Sequence, residues 1–357
     1  MIDEKALNQE LTGLLDTAIA QGASDLHLMA EISPMLRIDS LLRPVDIPPY
    51  TVEKVNEMIG GFLGEKLLQR LVSTRRELDF SFSYSKIRFR CNIFFQKGSL
   101  AASLRLLPNE IRDLASLGVP TVVGKMLEHN QGLVIVSGPT GHGKSTTLAA
   151  MVNQILHERR AHLVTIEDPI EYVFTSQKSI ISQREVGIDT PSFASALRAA
   201  LREDPDIVLL GEMRDQETME AALQIAETGH LVLTTLHTNS AAQTANRIID
   251  VFPPHQQEQV RVQLSEVLLG IASQRLLPRV QGGRVLASEI MIANSAVRSL
   301  IREGKTHQIP NLIQTSAAEG MMGLDKSLAE LVSRGEVSID DALAWSLDPK
   351  TLKMMIY

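Results

Sequence analysis

The stretch 133–151, LVIVSGPTGHGKSTTLAAM, decides the fold. Leu133 to Val136 is a short apolar, β-branched run, as a buried parallel strand requires. It runs into Gly138, Pro139, Thr140, Gly141, His142, Gly143, Lys144, Ser145 and Thr146, spaced as Gly-x-x-x-x-Gly-Lys-Ser. Glycine opens backbone conformations closed to other residues and lets a ligand approach the main chain. Successive N–H groups can then turn inward on an anion. A helix starting near Ser145 adds its positive end. Lys144 would bring a full charge to the β- and γ-phosphates, and the Ser145 hydroxyl would ligate Mg²⁺. A glycine-rich turn that only joins strand to helix is the plainer alternative. Eight positions in register between a strand and a helix favour a nucleoside triphosphate loop.

The chain around this loop repeats strand and helix. Strands are expected near 133–137, 163–167, 206–210 and 231–236, with helices between them, which makes a parallel sheet. Ligands collect at the carboxyl ends of such strands. Glu167 and Asp168 follow the second strand, ahead of Pro169. Glu167 could hold Mg²⁺ through water or orient an attacking water, although Asp-Pro is also a common turn starter. In DPDIVLLGEMRD, Gly211 stands where an Asp commonly ends the strand and contacts the metal. Glu212 then becomes a candidate to polarise water or hold a metal-bound water. Which of the two glutamates does which task stays open in the sequence. His237 directly follows the last strand and could sense a γ-phosphate; His230 precedes that strand. Arg198 and Arg202 share a helix face, as a solvated pair or a functional one.

The first third differs. A helix over 4–20, strands at SDLHL and PMLRID, a helix from 52 to 71, and strands at LDFSFSY, KIRFRCNIFFQ and LAASLRLLP describe a small α+β domain over 1–107. Residues 108–119 read as a linker and 120–357 as the nucleotide-binding domain, with short helices from about 290 to 357. Arg90 and Arg105 lie on strands of the first domain. They are either surface arginines or charges supplied to a γ-phosphate from outside the loop.

The net charge is −7 and the isoelectric point about 5.8, which argues against nucleic acid as the main partner. Aromatic residues are 4% of the chain, too few for an obvious base-stacking platform. Cys91 is the only cysteine, so one chain can form neither a disulfide framework nor a Cys-rich zinc site. No apolar run approaches the ~20 residues that span a bilayer. The acidic, polar start MIDEKALNQE is unlike a signal peptide. These features lead to the expectation of a soluble, cytoplasmic protein.

GPTGHGKST, TIEDPIEY, ALREDPDIVLLGEMRD and ETGHLVLTTLHT follow the order and spacing of the Walker A, Asp box, Walker B and His box of secretion-type hexameric ATPases. Within that superfamily the chain resembles the PilT-type pilus retraction ATPases. GASDLHL, RIIDVFPP, ASQRLLPR and EIMIANSAVRSLIREGK carry that likeness, which covers nearly the whole chain. The resemblance implies a PAS-like N-terminal domain, a RecA-like P-loop ATPase domain with a helical tail, ATP and Mg²⁺ as cofactors, and a homohexamer. It further implies an inner-membrane platform protein as partner, work at the cytoplasmic face of that membrane, and a paralogous PilU-type ATPase as partner or alternative identity. It assigns Arg90 and Arg105 to approach ATP across a domain interface. Pilus assembly relatives usually carry an extra N-terminal region and a four-cysteine zinc motif; neither is expected here, and the short tail favours PilT over PilU. His142 stands where related sequences often have serine, and only its backbone is expected to matter. A nucleic-acid translocase and a nucleotide-binding regulator without turnover are the rival readings.

Overall fold

The structure, a computed structural model, describes residues 7–38, 41–74, 77–107 and 110–356. The chain divides into two units: Met1–Glu110 with Pro169–Val173, and Ile111–Asp168 with Phe174–Tyr357. The start of the helix expected over 4–20, Asp39 of PMLRID, and Pro108 and Asn109 of the expected linker lie outside the described residues.

In the first unit, Asn8 caps helix α1 (Gln9–Ala20) by accepting the Leu11 N–H at 2.8 Å. Leu11, Leu14, Leu15 and Ala18 recur at three and four and form its buried face. Gly22, with φ of +62°, ends the turn as left-handed backbone favours. Six antiparallel strands follow the order β3-β2-β1-β6-β5-β4. They are β1 (Asp25–Leu28), β2 (Met35–Ile38), β3 (Leu41–Pro44), β4 (Leu78–Tyr84), β5 (Ile87–Gln96) and β6 (Ser99–Leu106). On β5, Phe89, Cys91 and Ile93 alternate inward; burial pushes the Cys91 thiol well up, so it is inert. Phe62 packs edge-on to Phe82, and Phe82 stacks on Phe89 with ring centres 5.3 Å apart. The helix expected from 52 to 71 is α2 (Val52–Thr74), but it is broken at Gly64, where φ is +69° and ψ 168°.

The second unit is built on a seven-stranded sheet in the order β13-β12-β7-β11-β10-β8-β9. The four strands expected from sequence are β7 (Gly132–Ser137), β8 (His162–Glu167), β10 (Ile207–Leu210) and β11 (Leu231–Leu236). They are joined by β9 (Ile180–Glu185), β12 (Leu268–Pro278) and β13 (Arg284–Ile292). All pairings are parallel except β12 with β13. β7 lies between β12 and β11, and its side chains alternate between two cores. Leu133 and Ile135 face the core formed with α6 (Gln216–Glu227), α7 (Ala241–Asp250) and α8 (Pro254–Val267). Val134 and Val136 face α3 (Thr121–Met126) and α4 (Lys144–Glu158). Burial on both faces explains why β7 reads as a continuous apolar run. Each such aliphatic contributes roughly 1.5–3 kcal/mol.

Between these lie α5 (Phe193–Ala200) and, after β13, α9 (Ser295–Arg302), α10 (Ile309–Thr315), α11 (Leu324–Ser333), α12 (Ile339–Trp345) and α13 (Pro349–Ile356). The last three pack Leu328, Leu331, Ala342 and Leu352 onto Leu277 and Ala287 of the β12–β13 hairpin. Leu114 and Val119, inside the segment read as a linker, are buried with Val123 and Met126 in the second unit. Among the described residues, no helix is long and apolar enough to cross a membrane.

Gly270 on β12 has no room for a side chain: a Cβ there would lie 2.7 Å from the Met291 carbonyl oxygen. Gly270→Ala is expected to cost roughly 1–3 kcal/mol through overpacking, read as a lower thermal midpoint. An unchanged midpoint would contradict this packing.

Candidate functional site

The loop between β7 and α4 is shaped by its glycines. Gly138 has φ of +145°, and a Cβ on it would fall 2.5 Å from the Gln274 carbonyl oxygen of β12. Gly143, at φ +82°, caps α4 with no side chain, so the first turn of the helix meets the loop directly. Lys144 is 7% exposed. Its amine donates to the carbonyls of Gly138 at 2.8 Å and Pro139 at 2.9 Å. A buried cation inside a glycine-shaped cradle at a helix N-terminus fits a phosphate group. Ser145 is exposed and Thr146 half-buried in the same first turn.

β12 and β13 clasp this loop. The Gln274 amide donates to the His142 carbonyl at 2.7 Å and its oxygen accepts the Thr147 hydroxyl at 3.0 Å. The Ser137 and Ser273 hydroxyls meet at 2.6 Å. Arg284 donates to the Gly141 carbonyl at 3.3 Å. Only the backbone of His142 is expected to matter, yet its ring also makes contacts. Its ring Nδ1 accepts the Leu276 N–H at 3.0 Å, and the ring meets the edge of Trp345 at 4.9 Å between centres. Burial, then Arg275, Lys144 and Arg284, push the His142 pKa down, which keeps Nδ1 an acceptor.

At the carboxyl ends of the neighbouring strands, Glu167 accepts the Thr165 hydroxyl at 2.7 Å and the Gln183 amide at 3.3 Å. Gly211 binds back to the Ile166 carbonyl at 2.9 Å, and the Thr235 hydroxyl donates to the Gly211 carbonyl at 2.6 Å. The turn carrying Glu212 is thereby fixed from both sides. Glu212 pairs with Arg214 and lies 3.4 Å from His237 Nε2. His237 Nδ1 in turn faces the Lys144 amine at 3.4 Å and the Thr140 hydroxyl at 3.2 Å. Since Nδ1 meets a donor on the lysine, the proton sits on Nε2 and points to Glu212. Lys144, His237 and Glu212 form one chain of contacts at the mouth of the loop.

His230 is not part of it. It precedes β11, at the other end of that strand, where its ring contacts the Ile225 carbonyl at 3.2 Å. Arg90 and Arg105 face each other across β5 and β6 in the first unit. Arg105 donates to Asp25 at 2.8 Å, and Arg90 lies 4.0 Å from Glu171. Burial raises the Asp25 pKa, but hydrogen bonds from Arg105 and Ser24 outweigh it and leave the carboxyl below its ordinary range. Arg198 is paired with Glu217 at 2.6 Å on the surface. Among the described residues, no three His, Cys, Asp or Glu side chains converge as a metal-binding group. The clasp residues Gln274, Leu276, Arg284 and Trp345 and the props Thr165, Gln183 and Thr235 were missed by sequence reasoning. One signal was available for the clasp: Ser273, Gln274 and Arg275 are three successive polar residues in an otherwise apolar strand.

The family described as Type II/IV secretion system protein matches residues 2–344. The type IV pilus retraction ATPase PilT of Pseudomonas aeruginosa is 46% identical over 334 residues, covering 93% of this chain and 97% of that protein. The type IV pilus ATPase PilU of the same organism is 38% identical over 349 residues, covering 97% of this chain and 91% of that protein. A crystal structure of the pilus retraction motor PilT with bound ADP superposes with a TM-score of 0.89 at 50% identity, covering 95% of this chain and 98% of that one.

Burial, then the Lys144 charge, push the His237 pKa down; Glu212 opposes them without reversing the shift. Its folded value therefore lies below the unfolded value of about 6.5. The stability linked to the neutral ring is complete above that unfolded value and is lost as pH falls through the folded value. An NMR titration of the ring is expected to give a midpoint below about 6.5, and acid is expected to lower the thermal midpoint less in His237→Asn than in the unchanged protein. A ring midpoint at or above the ordinary value would contradict this environment.

Proposed function

We propose that this chain, which belongs to the Type II/IV secretion system protein family, is the ATP-driven motor of type IV pilus retraction. The observation that carries this reading is likeness to PilT over both units, combined with the contact chain of Lys144, His237 and Glu212. The protein is an ATPase. In our reading the first unit is the PAS-like domain and the second the RecA-like domain of a homohexamer. The ring would act on an inner-membrane platform protein at the cytoplasmic face, with a PilU-type paralogue as a further partner and no nucleic acid.

Gly138 to Thr146 bind the phosphates, and Lys144 offsets their charge. Ser145 would hold Mg²⁺, with Glu167 and Glu212 acting through water. When bound, it would neutralise charge on the transferring phosphoryl group. Glu212 orients the attacking water, held by the Thr235 contact to Gly211 and by the proton on His237 Nε2. Glu167 supports it from the neighbouring strand. Arg90 and Arg105 are assigned to neutralise γ-phosphate charge. Hydrolysis would switch an interface between two arrangements, and that motion does the work.

The test uses cells that lack this gene and carry fluorescently labelled pili. Pili are expected to extend without retracting, and Glu212→Gln is expected to fail to restore retraction. The purified variant should lose roughly 10²–10⁴-fold in turnover while still binding nucleotide. Bald cells would indicate an assembly role. Normal retraction would favour the PilU-like accessory reading, which the likeness to PilU also supports.

A further inference from the structure

The phosphate loop meets the C-terminal helices at the ring pair of His142 and Trp345. Trp345, the only tryptophan in the chain, closes α12 and presents its ring to His142 at 4.9 Å and 68° between planes. The same histidine ring accepts the Leu276 N–H at 3.0 Å. α12 is anchored independently of the loop: Ala342 is buried with Leu277 and Leu328, and the Ser338 side chain caps the first turn at Asp341. His142 therefore lies between a fixed strand and a fixed helix, one residue before Gly143.

We propose that His142 is a positioning residue for the phosphate loop and that Trp345 holds its ring in place, so that the C-terminal helices set nucleotide affinity. The argument is geometric. Gly141 and Gly143 are both left-handed, at φ +80° and +82°, so the backbone on either side of His142 has more freedom than any other residue would give it. The Gln274 bond to the His142 carbonyl fixes one peptide plane. The ring bond to Leu276 fixes the side chain relative to the same strand. Without Trp345 over it, the ring can leave Leu276 for another rotamer, and the loop loses one of its two ties at this residue. A serine in place of His142 would be too short to reach Trp345. The coupling is therefore a property of this chain's histidine, not of the loop motif.

This inference rests on the reading of residues 138–146 as a nucleotide site, and the test separates the two. ADP affinity is measured calorimetrically, with Mg²⁺, on the full chain and on His142→Ala, Trp345→Ala and the double variant. His142→Ala is expected to weaken binding about five-fold, the scale of one lost hydrogen bond. Trp345→Ala is expected to weaken it about three-fold, the scale of an aromatic contact. In the His142→Ala background, Trp345→Ala should have no further effect, because both changes act through one ring. His142→Asn, whose side-chain oxygen can replace Nδ1 as acceptor, should recover part of the loss. Trp345 emission should change on adding ADP to the unchanged protein and stay constant in His142→Ala.

Trp345 is 37% exposed, so truncating it should leave the fold intact. If Trp345→Ala does not fold, Trp345→Leu keeps the bulk without the ring edge and takes its place. Equal losses from the tryptophan change in both backgrounds would overturn the proposal. So would single variants that bind ADP as the unchanged protein does. Failure of the unchanged protein to bind ADP would remove the nucleotide reading and this inference together.

Discussion

The close approach of the phosphate loop to β12 is the constraint on which the second unit depends. Gly138 passes so near the Gln274 carbonyl that no side chain fits between them. Around that point Gln274 ties the His142 carbonyl, Leu276 ties its ring, and Ser273 meets Ser137. A glycine-rich loop is entropically expensive to order. Here the order comes from a strand that is itself held between β7 and β13 and covered by α11 to α13. Rigid support of this kind keeps phosphate-binding groups in place without bulk in the loop itself.

The charges at the loop mouth follow from the same arrangement. Lys144 is buried, with its charge spread over two loop carbonyls and the His237 ring. Burial, and then that charge, push the His237 pKa down, and the neutral tautomer directs a proton to Glu212. One ring thus links the Lys144 amine to the Glu212 carboxylate. Glu167 is prepared separately, by Thr165 and Gln183, on the adjacent strand.

Much of this was legible in the sequence because it is local. The Gly138–Ser145 spacing, the apolar runs of β7, β8, β10 and β11, and the carboxylates at their ends all lie within short windows. What was not legible depends on contacts across long sequence separations. The bond between Leu276 and His142 joins residues 134 positions apart, and no motif in the loop announces it. β3 was missed because Leu41 and Leu42 are exposed on an edge and show no alternation. β12 and β13 were missed because buried polar residues interrupt their apolar pattern, and on β12 two of them, Ser273 and Gln274, are partners of β7, the loop and α4. The break in α2 at Gly64 was invisible since its flanking sequence, GGFLGEK, still carries helix-compatible apolar spacing. The sequence already set His230 and His237 at opposite ends of one strand, and β11 leaves only His237 beside the loop.

The central claim is that the loop at 138–146, with Lys144 buried in it, is where this protein binds and hydrolyses ATP. The most direct measurement is steady-state ATP hydrolysis by purified Lys144→Ala protein beside the unchanged chain, with folding verified for both. The account predicts that hydrolysis is lost while the fold is retained. Hydrolysis at the unchanged rate would contradict it and place the chemistry elsewhere in the chain.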